Sequence, residues 1–398
     1  MKPSFSEPLW PGTTVAGQPI TLGVMGGGQL GRMFVHAAQA MGYFTAVLDP
    51  DPQSPAGRVS HTHIQTDYLD PAGLQQLAQC CAAITTEFEN VPAPALRQLA
   101  LSRPVAPGAD AVAIAQDRAQ EKAHFVRCGV PCAPYAVIDN AAQLEQALSQ
   151  NLLPGILKTA RLGYDGKGQM RVADAPALRT AWAALKQAPC VLEKMLPLAL
   201  ECSVILARGA DGTVVNFPVQ RNLHRDGILA VTQVYEGHLP AGLAAQAIDC
   251  ARSIAQGLNY VGVMCTEFFV LQDGSLIVNE IAPRPHNSGH YSLDACDQSQ
   301  FDLQVRSLAG LPLTMPRQHS PAIMLNLLGD IWLDAHNAPR TPDWPAVLAL
   351  PGTHLHLYGK TQARKARKMG HLNVTGVSIS QVRQTALKAA LILGIEAF

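Results

Sequence analysis

The sequence has no excess of positive or negative charge. It contains 30 Lys and Arg and 30 Asp and Glu in 398 residues, so the formal net charge is zero and only 15% of residues are charged. Domains that bind nucleic acid usually carry a basic surface, and here the basic residues form one short cluster at 360–368. The composition therefore argues against nucleic acid as a partner.

Paired cysteine motifs and long apolar runs are also missing. The nine cysteines show no Cys-x-x-Cys spacing, which argues against a zinc motif or a disulfide framework and favours reduced thiols. No apolar run approaches the roughly 20 residues of a membrane helix, and the first 17 residues lack the apolar core of a signal peptide. We expect a cytoplasmic protein without a membrane partner.

The length and the order of predicted elements indicate three domains after an N-terminal arm at 1–17. We expect a Rossmann-like α/β domain at 18–115, a larger domain at 116–318 and a small α+β domain at 319–398. The predicted fold class is thus mixed α/β and α+β. This division is based on predicted strands at 20–25, 44–48, 82–86, 156–158 and 191–193, a half-exposed strand at 201–207, and helices at 32–41, 116–128 and 243–258.

Two acidic residues lie at corresponding positions of a predicted β-hairpin. Asp273-Gly274 separates two apolar runs and predicts a two-residue turn in which both residues have positive φ. Pairing outward from this turn places Glu267 opposite Glu280, with Cβ atoms about 5 Å apart. Because these like charges repel, the pair predicts a bound cation, and Mg²⁺ commonly joins carboxylates to phosphate oxygens. The alternative is an exposed hairpin end with two solvated acids.

A glycine-rich turn follows the first predicted strand. Gly26-x-Gly28-x-x-Gly31 precedes a helix, and Asp49 ends the next strand, as in a dinucleotide-binding motif. The same glycines also suit any ligand that brings an anion or a carbonyl to backbone N–H groups at a helix start, or a turn that is tight for packing alone. The motif indicates a ligand site without identifying the ligand.

A second glycine-rich segment, at 162–169, directly follows the strand that contains Lys158. Its glycines can form a mobile loop whose amides close over phosphates, although a surface hairpin is the alternative. It is not a Walker A loop, because Gly168 follows Lys167 where that motif has Ser or Thr. Lys158 lies among apolar residues and needs an anionic partner. Glu193 and Glu201 are possible acceptors for a base amino group or ribose hydroxyls.

Two basic segments suit anionic small molecules. Prolines flank Arg284 and restrict its backbone, and His286 and Asn287 follow directly after the proposed metal hairpin. The cluster that begins at Lys360 and contains Arg367 could bind the phosphate monoester of a small substrate or form a solvated basic turn.

Together these motifs resemble one family. The Gly163–Gln169 loop, the run from Asn279-Glu280 through Pro-Arg-Pro-His-Asn-Ser-Gly-His, and the Tyr-Gly-Lys…Arg-Lys-Met-Gly-His run are similar to those of 5-(carboxyamino)imidazole ribonucleotide synthetases. These are ATP-grasp enzymes of de novo purine biosynthesis, and the likeness extends from about Ile20 to the end. It implies an ATP-grasp fold with ATP between two antiparallel sheets.

The resemblance also implies roles for individual residues. Mg²⁺ would be held by Glu267 and Glu280, and Arg284, Tyr164, His286 and Asn287 would surround the reacting centre. The ribonucleotide substrate would contact Gln29, Leu30, Glu87, Arg284, Lys360 and Arg367. ATP would contact Arg118, Lys158, Gly163, Tyr164, Asp165, Gly166, Lys167, Gly168, Gln169, Glu193, Lys194, Met195, Leu196, Glu201, His224, Asn279 and Glu280. One departure is Lys194, where the family commonly has Gln or Glu.

The implied reaction uses ATP, Mg²⁺ and two small substrates, bicarbonate and 5-aminoimidazole ribonucleotide. Bicarbonate attacks the γ-phosphate, and the resulting carboxyphosphate carboxylates the substrate amine. Relatives are homodimers, and the unstable product could pass to the mutase that follows in the pathway. Three alternatives are a formate-dependent glycinamide ribonucleotide transformylase, an NAD-dependent oxidoreductase and a non-catalytic nucleotide sensor. The first differs in its glycine turn, and the second leaves Glu267 and Glu280 unexplained.

Overall fold

The computed structural model describes residues 7–15, 17–163 and 168–398. After a short β1–β2 hairpin, four parallel strands form a sheet in the order β5-β4-β3-β6. The elements of this region are β1 (Thr14–Val15), β2 (Gln18–Pro19), β3 (Thr21–Met25), α1 (Gln29–Ala40), β4 (Phe44–Leu48), β5 (Thr62–Ile64), α2 (Pro71–Cys80), β6 (Ala83–Thr86), α3 (Ala93–Leu99) and α4 (Ala109–Ala115).

The middle of the chain contributes two antiparallel sheets. A small one has the order β7-β10-β8-β9, and a large one begins β16-β15-β11-β13-β14. Their elements are α5 (Arg118–Arg127), β7 (Tyr135–Ile138), α6 (Ala141–Leu148), β8 (Gly155–Thr159), β9 (Gln169–Val172), α7 (Ala175–Ala184), β10 (Cys190–Lys194), β11 (Leu198–Arg208), β12 (Val214–Asn216), β13 (Gln220–Arg225), β14 (Ile228–Val234), α8 (Ala241–Gly257), β15 (Gly262–Leu271), β16 (Leu276–Ala282), a 3-10 turn (Asn287–Gly289), α9 (Ser292–Ala295) and α10 (Gln300–Ala309).

The C-terminal region extends the large sheet. Strand β17 pairs antiparallel with β14, so the sheet continues through β17, β19 and β18, with β12 attached to β11. The elements are β17 (Ala322–Leu328), a 3-10 turn (Gly329–Trp332), α11 (Trp344–Leu348), β18 (Thr353–Leu357), β19 (Lys368–Thr375) and α12 (Ile379–Leu393). The prediction of mixed α/β and α+β structure is confirmed.

Helices α1 and α10 join the first region to the large sheet. Phe34, Val35 and Ala38 recur at helical spacing on α1 and are fully buried. They share one apolar cluster with Phe301 and Val305 of α10. This contact brings the carboxyl ends of the parallel strands toward the hairpin of β15 and β16.

The predicted pairing of Glu267 with Glu280 is confirmed, but the predicted turn is wrong. Gly274 has a φ of 84°, whereas Asp273 does not have positive φ. The Leu271 N–H donates to the Ser275 carbonyl, so the loop is longer than two residues. A three-residue loop with glycine at its positive-φ position is the next most common hairpin connection.

A bulge restores the register that the longer loop shifts. Near the tip Phe268 lies opposite Val278, one residue away from the predicted partner, yet Glu267 still lies opposite Glu280. Asn279 is the extra residue between these two pairs, as expected for a β-bulge. The two departures from the prediction cancel at the acidic pair.

Two other predictions about elements are wrong. The helix expected at 116–128 begins at Arg118, because the Asp117 carboxylate accepts the Ala119 and Gln120 N–H groups as an N-cap. The strand at 201–207 is buried from Cys202 onward rather than half-exposed. It lies inside the nine-stranded sheet, with α8 packed on one face and α10 on the other.

No helix within the described ranges is long and apolar enough to cross a membrane.

Candidate active site

A cavity of about 820 Å³ lies where the first region and the two antiparallel sheets meet. Each contributes polar side chains to its wall. The predicted site residues that line it are Gln29, Leu30, Glu87, Arg118, Lys158, Gly163, Gln169, Glu193, Lys194, Met195, Leu196, Glu201, His224, Glu267, Asn279, Glu280, Arg284, His286 and Asn287. Most residues that the sequence assigns to one site therefore surround one space.

Glu267 and Glu280 carry different charge tendencies within this cavity. Burial, and after it the neighbouring Glu280, raise the pKa of Glu267 to about 7. Burial also opposes ionisation of Glu280, but Arg118 and Lys158 outweigh it and hold its pKa below the usual value. Arg118 Nη1 lies 2.9 Å from Glu280 Oε2. Glu280 is therefore ionised at neutral pH, whereas Glu267 would be ionised fully by a bound cation.

The donor set around the pair fits a hard divalent cation. The Asn279 side-chain oxygen is buried and has no hydrogen-bond partner within the described part of the chain. It belongs to the bulge between the two acidic residues and lines the same cavity. Carboxylate oxygens are the protein ligands that Mg²⁺ prefers, and neutral carbonyl oxygens are weaker ligands that can complete its shell, so Glu267, Glu280 and Asn279 suit this ion.

Lys158 lines a neighbouring wall of the cavity and shares a carboxylate with the buried Lys122. Lys158 Nζ lies 3.1 Å from Glu193 Oε1, and Lys122 Nζ lies 3.3 Å from the same oxygen. The Glu193 side chain is only 5% exposed. Burial opposes its ionisation, but the two lysines hold its pKa below the usual value. Glu193 thus acts first as a counter-ion for two cations, a role that the sequence did not indicate.

Two histidines contact carboxylates across the cavity. His224 pairs with Glu201, and although burial lowers its pKa, the contact with Glu201 raises it above the ordinary value. His286 Nε2 lies 3.1 Å from Glu267 Oε1, whereas burial and then Arg284 lower the pKa of His286 well below its usual range. His286 is therefore neutral at neutral pH, and His224 gains a proton more readily.

Arg284 is held in place by the first region. Its guanidinium pairs with Glu89 and donates from Nη1 to the Pro285 carbonyl at 3.0 Å. Burial opposes its charge, but Glu89 and Glu87 raise its pKa above the ordinary value. The arginine thus points at the junction of the first region and the hairpin.

Gln300 fixes the backbone that follows Arg284. Its side-chain oxygen accepts the His286 N–H at 2.8 Å, and its Nε2 donates to the His286 carbonyl at 2.8 Å. The same Nε2 lies 3.0 Å from His290 Nδ1. One buried glutamine at the start of α10 therefore positions the segment that presents His286.

The glycine turn binds carboxylates of its own chain. Glu87 accepts the Gly28 and Gly31 N–H groups at 2.9 and 3.0 Å, and Asp49 accepts the Gly27 N–H at 2.7 Å. A Cβ on Gly28 would lie 2.3 Å from a Glu87 carboxylate oxygen, so this approach requires glycine. The N–H groups of the turn and the Asp49 carboxylate therefore bond to each other and to Glu87, so the interpretation of the turn as a dinucleotide site is wrong.

The basic cluster forms a second, smaller cavity. It has a volume of about 240 Å³ and lies between a loop of the first region and the C-terminal region. Its walls come from Asp51, Gln53, Pro55, Lys360, Thr361, Gln362, Arg364 and Arg367. The two residues proposed for the substrate phosphate, Lys360 and Arg367, are thus brought together.

Part of the predicted site lies outside the described residues, namely Tyr164, Asp165, Gly166 and Lys167. Gly168 follows them, and its carbonyl accepts the Thr159 N–H at 2.8 Å.

Sequence reasoning missed several residues that line the main cavity, above all Glu89, Glu121 and Lys368. Two signals were available. Glu89 follows β6, and ligands of open α/β sheets bind at the carboxyl ends of strands. Glu121 and Lys122 lie three and four residues after Arg118, on the same helix face.

Models of three protein families match successive parts of the chain. The ribonucleotide synthetase preATP-grasp domain matches residues 20–116, the ATP-grasp domain matches 123–301, and the phosphoribosylaminoimidazole carboxylase C-terminal domain matches 322–385.

Relatives and solved structures match over almost the whole chain. The N5-carboxyaminoimidazole ribonucleotide synthase of Brucella melitensis is 44% identical, over 88% of this chain and 95% of the relative. That of Bacillus subtilis is 38% identical, over 88% and 90%. A crystal structure of an N5-carboxyaminoimidazole ribonucleotide synthetase with ADP has a TM-score of 0.87 at 36% identity, covering 98% and 99%. The Aspergillus clavatus enzyme with ADP and 5-aminoimidazole ribonucleotide has a TM-score of 0.85 at 30% identity, covering 94% and 99%.

The fold and the cavity define an ATP-grasp ligase, with cations and carboxylates between two antiparallel sheets. Within that class, the chain belongs to the N5-carboxyaminoimidazole ribonucleotide synthase family. The resemblance found in the sequence is therefore confirmed, and the transformylase and oxidoreductase alternatives are set aside.

Proposed function

We propose that the two cavities bind different substrates of one reaction, with ATP in the larger cavity and the phosphate of the ribonucleotide substrate in the smaller one. The reaction is that of the family, the ATP-dependent carboxylation of 5-aminoimidazole ribonucleotide to N5-carboxyaminoimidazole ribonucleotide in purine biosynthesis. The observation that carries the proposal is the facing pair Glu267 and Glu280 beside Arg118 and Lys158 in one cavity.

ATP lies with its phosphates against Arg118 and Lys158 and under the loop from Gly163 to Gln169. Both cations already have carboxylate partners, so phosphate binding exchanges or shares these partners. Glu201 and His224 contact the ribose.

The adenine lies beside the strand end formed by Glu193, Lys194, Met195 and Leu196. The N–H groups of Lys194 and Met195 donate to the carbonyls of Pro134 and Pro154. Because these two N–H groups are already bonded, the backbone recognises adenine through the carbonyls of this segment and the main chain of Leu196. The side chain of Lys194 contributes little.

Glu267 and Glu280 hold Mg²⁺, with Asn279 available as a further oxygen donor. When bound, the ion neutralises charge on the phosphates of ATP. Arg118 positions Glu280, and His286 contacts Glu267, so both carboxylates are oriented by neighbouring side chains.

Arg284, His286, Asn287 and Tyr164 surround the carboxylating centre. A bicarbonate oxygen attacks the γ-phosphorus, ADP leaves, and the product is carboxyphosphate. The substrate amine then attacks the carboxyphosphate carbon, phosphate leaves, and the nitrogen loses a proton. The Arg284 guanidinium stabilises the negative charge of carboxyphosphate.

The ribonucleotide substrate lies against the first region, with its 5′-phosphate on Lys360 and Arg367. Gln29, Leu30 and Glu87 contact the rest of the molecule at the edge of the main cavity. The Glu87 carboxylate also accepts two turn amides, so it is held rigidly where it meets the substrate.

The assembled enzyme is a homodimer in the cytoplasm, and its product passes to the mutase that consumes it. Size-exclusion chromatography with light scattering tests the dimer, and a coupled assay with and without the mutase tests the transfer.

Product analysis with labelled bicarbonate, 5-aminoimidazole ribonucleotide and ATP–Mg²⁺ tests the proposal. We expect acid-labile label in the product and one ADP per product. A reaction that requires formate instead would refute it. Arg284→Ala should lose bicarbonate-dependent ADP formation, and retention of that activity would exclude Arg284 from this role.

A further inference from the structure

Three different donor atoms meet at the base of the main cavity. The thiol of Cys265, a carboxylate oxygen of Glu267 and an imidazole nitrogen of His286 all lie within 4.8 Å of one another. Cys265 and Glu267 are two residues apart on β15, so their side chains point to the same face of the strand. Glu267 and His286 line the cavity, whereas Cys265 lies buried below them.

This donor set differs from the one that suits magnesium. Mg²⁺ prefers oxygen ligands, whereas a thiolate, an imidazole and a carboxylate are typical ligands of zinc. Zinc–ligand bonds of about 2.0–2.3 Å in a tetrahedron keep donor atoms roughly 3.3–3.8 Å apart. The upper limit of 4.8 Å on the donor separations exceeds this spacing by about 1 Å.

The surroundings orient the imidazole for coordination. Ser288 Oγ lies 3.0 Å from His286 Nδ1, and Glu267 Oε1 lies 3.1 Å from Nε2. The Ser288 N–H also donates to Nδ1, so Nε2 carries the proton that Glu267 accepts. Coordination through Nε2 moves this proton to Nδ1, where Ser288 Oγ can accept it, as is usual for histidine ligands. Gln300 holds the His286 backbone from both sides, which limits the movement that coordination requires.

We propose that Cys265, Glu267 and His286 form a site for a thiophilic divalent cation of the zinc class. The fourth ligand is water or a phosphate oxygen from the cavity, and the thiol proton is released to solvent on binding. The site shares Glu267 with the proposed magnesium site, so bound zinc prevents the productive binding of Mg²⁺ and stops turnover. This last consequence rests on the proposed function, but the zinc site itself does not.

Cobalt binding tests the site directly in the full-length protein without nucleotide. We expect Co²⁺ to give the near-ultraviolet band of thiolate-to-cobalt charge transfer and the intense visible bands of four-coordinate cobalt. Added Zn²⁺ should abolish both. Cys265→Ser and Cys265→Ala, each checked for folding by its melting temperature, should lose the charge-transfer band and bind Zn²⁺ at least about 10-fold more weakly.

Cys80→Ser is the matched control, because Cys80 is exposed and its sulfur lies 3.6 Å from that of Cys81, which makes this pair the rival thiol site. It should keep the cobalt spectrum. The proposal is overturned if the wild type gives no thiolate band, or if the band is lost in Cys80→Ser and kept in both Cys265 variants.

Inhibition of the carboxylation reaction separates the zinc site from the magnesium assignment. We expect micromolar Zn²⁺ to inhibit in competition with Mg²⁺, and Cys265→Ala to need at least about 10-fold more Zn²⁺ while keeping its activity with Mg²⁺. Zinc binding that depends on Cys265 but does not compete with Mg²⁺ would support the site and refute the assignment of Glu267 to magnesium.

Discussion

Three cations that we assign to the phosphates of ATP or to carboxyphosphate have carboxylate partners from their own chain. Arg118 pairs with Glu280, Lys158 with Glu193, and Arg284 with Glu89. Buried ion pairs contribute little net stability, because desolvation offsets their attraction. Their retention here fits a site in which ligand phosphates replace or join internal counter-ions.

Glu280→Gln tests the metal site at the level of one residue. We expect kcat to fall at least about 100-fold and the Mg²⁺ concentration for half-maximal activity to rise, because a neutral amide binds a divalent cation weakly and no longer balances Arg118. Steady-state assays across a magnesium titration measure both effects.

Asp273→Asn provides the control for that experiment. Asp273 is an exposed acid at the tip of the same hairpin, and its carboxylate accepts the Ser275 N–H and hydroxyl. Its replacement should leave the magnesium dependence unchanged. An unchanged magnesium dependence in Glu280→Gln as well would show that Glu280 is not a ligand.

Glu121 gives the stability of the protein a specific dependence on pH. Its carboxyl is 2% exposed and accepts the Ile281 N–H at 2.7 Å. Burial raises its pKa to about 8, although Arg118 opposes the shift. Between about pH 4.3 and 8 the folded protein keeps a proton that the unfolded chain releases, so the free energy of unfolding falls as pH rises through this window.

Glu121→Gln removes this dependence, because the amide stays neutral and can still accept the Ile281 N–H. Relative to wild type, we expect the variant to gain about 3.5 kcal/mol between pH 5 and pH 8 in denaturant titrations. Glu145→Gln, an exposed acid whose pKa the Arg179 hydrogen bond lowers, should show a flat difference over that range. Equal differences for Glu121→Gln at both pH values would contradict the assignment.

At the level of elements, the hairpin shows what local sequence can predict. The Asp-Gly signal located the turn, and counting outward gave the pairing of Glu267 with Glu280. The length of the loop and the bulge at Asn279 could not be predicted, because both depend on how β15 fits the neighbouring β11. The glycine turn shows the same limit, since its partner Glu87 lies 59 residues away from Gly28.

Helix α10 positions the reacting segment through a single side chain. Gln300→Leu would leave the His286 N–H and carbonyl and the His290 ring without their partner, at about 1–3 kcal/mol for each buried group. We expect kcat to fall at least about 10-fold, with a smaller change in KM for ATP, because the reacting groups are displaced while the nucleotide contacts remain. Steady-state kinetics and the melting temperature measure the two effects.

Ser299→Ala is the neighbouring control. Ser299 precedes Gln300 directly and caps α10 through a capping box with Asp302. Its loss should cost about 1 kcal/mol of stability and leave kcat unchanged. If Gln300→Leu and Ser299→Ala lowered kcat to the same extent, the stability of α10 would explain the effect, and the hydrogen bonds of Gln300 to the His286 backbone would not.

At the scale of the whole molecule, one sheet connects the nucleotide hairpin to the C-terminal region. The sequence does not predict that β14 pairs with β17, for example Val231 with Leu325. Such pairing depends on burial between distant segments, and no local pattern encodes it. As a consequence, the basic cluster at 360–368 connects β18 to β19 in the same sheet that contains Glu267 and Glu280.

Bound 5-aminoimidazole ribonucleotide should therefore contact both the first region and the C-terminal region and stabilise their contact. The small cavity contains Gln53 and Pro55 from one and Lys360 and Arg367 from the other. At 100 times its dissociation constant, 5-aminoimidazole ribonucleotide should stabilise the protein by about 2.7 kcal/mol, seen as a raised melting temperature. Lys360→Ala should lose this shift and keep the shift produced by ATP–Mg²⁺, because the phosphate contact belongs to the ribonucleotide alone.

Lys388→Ala, at an exposed position on α12, should keep both shifts and thereby exclude a general effect of removing one positive charge. If Lys360→Ala lost the ATP–Mg²⁺ shift instead, the small cavity would serve the nucleotide and the division of ligands between the two cavities would be wrong. If it kept both shifts, Lys360 would not hold the phosphate. The two thermal shifts are informative together because different side chains line the two cavities.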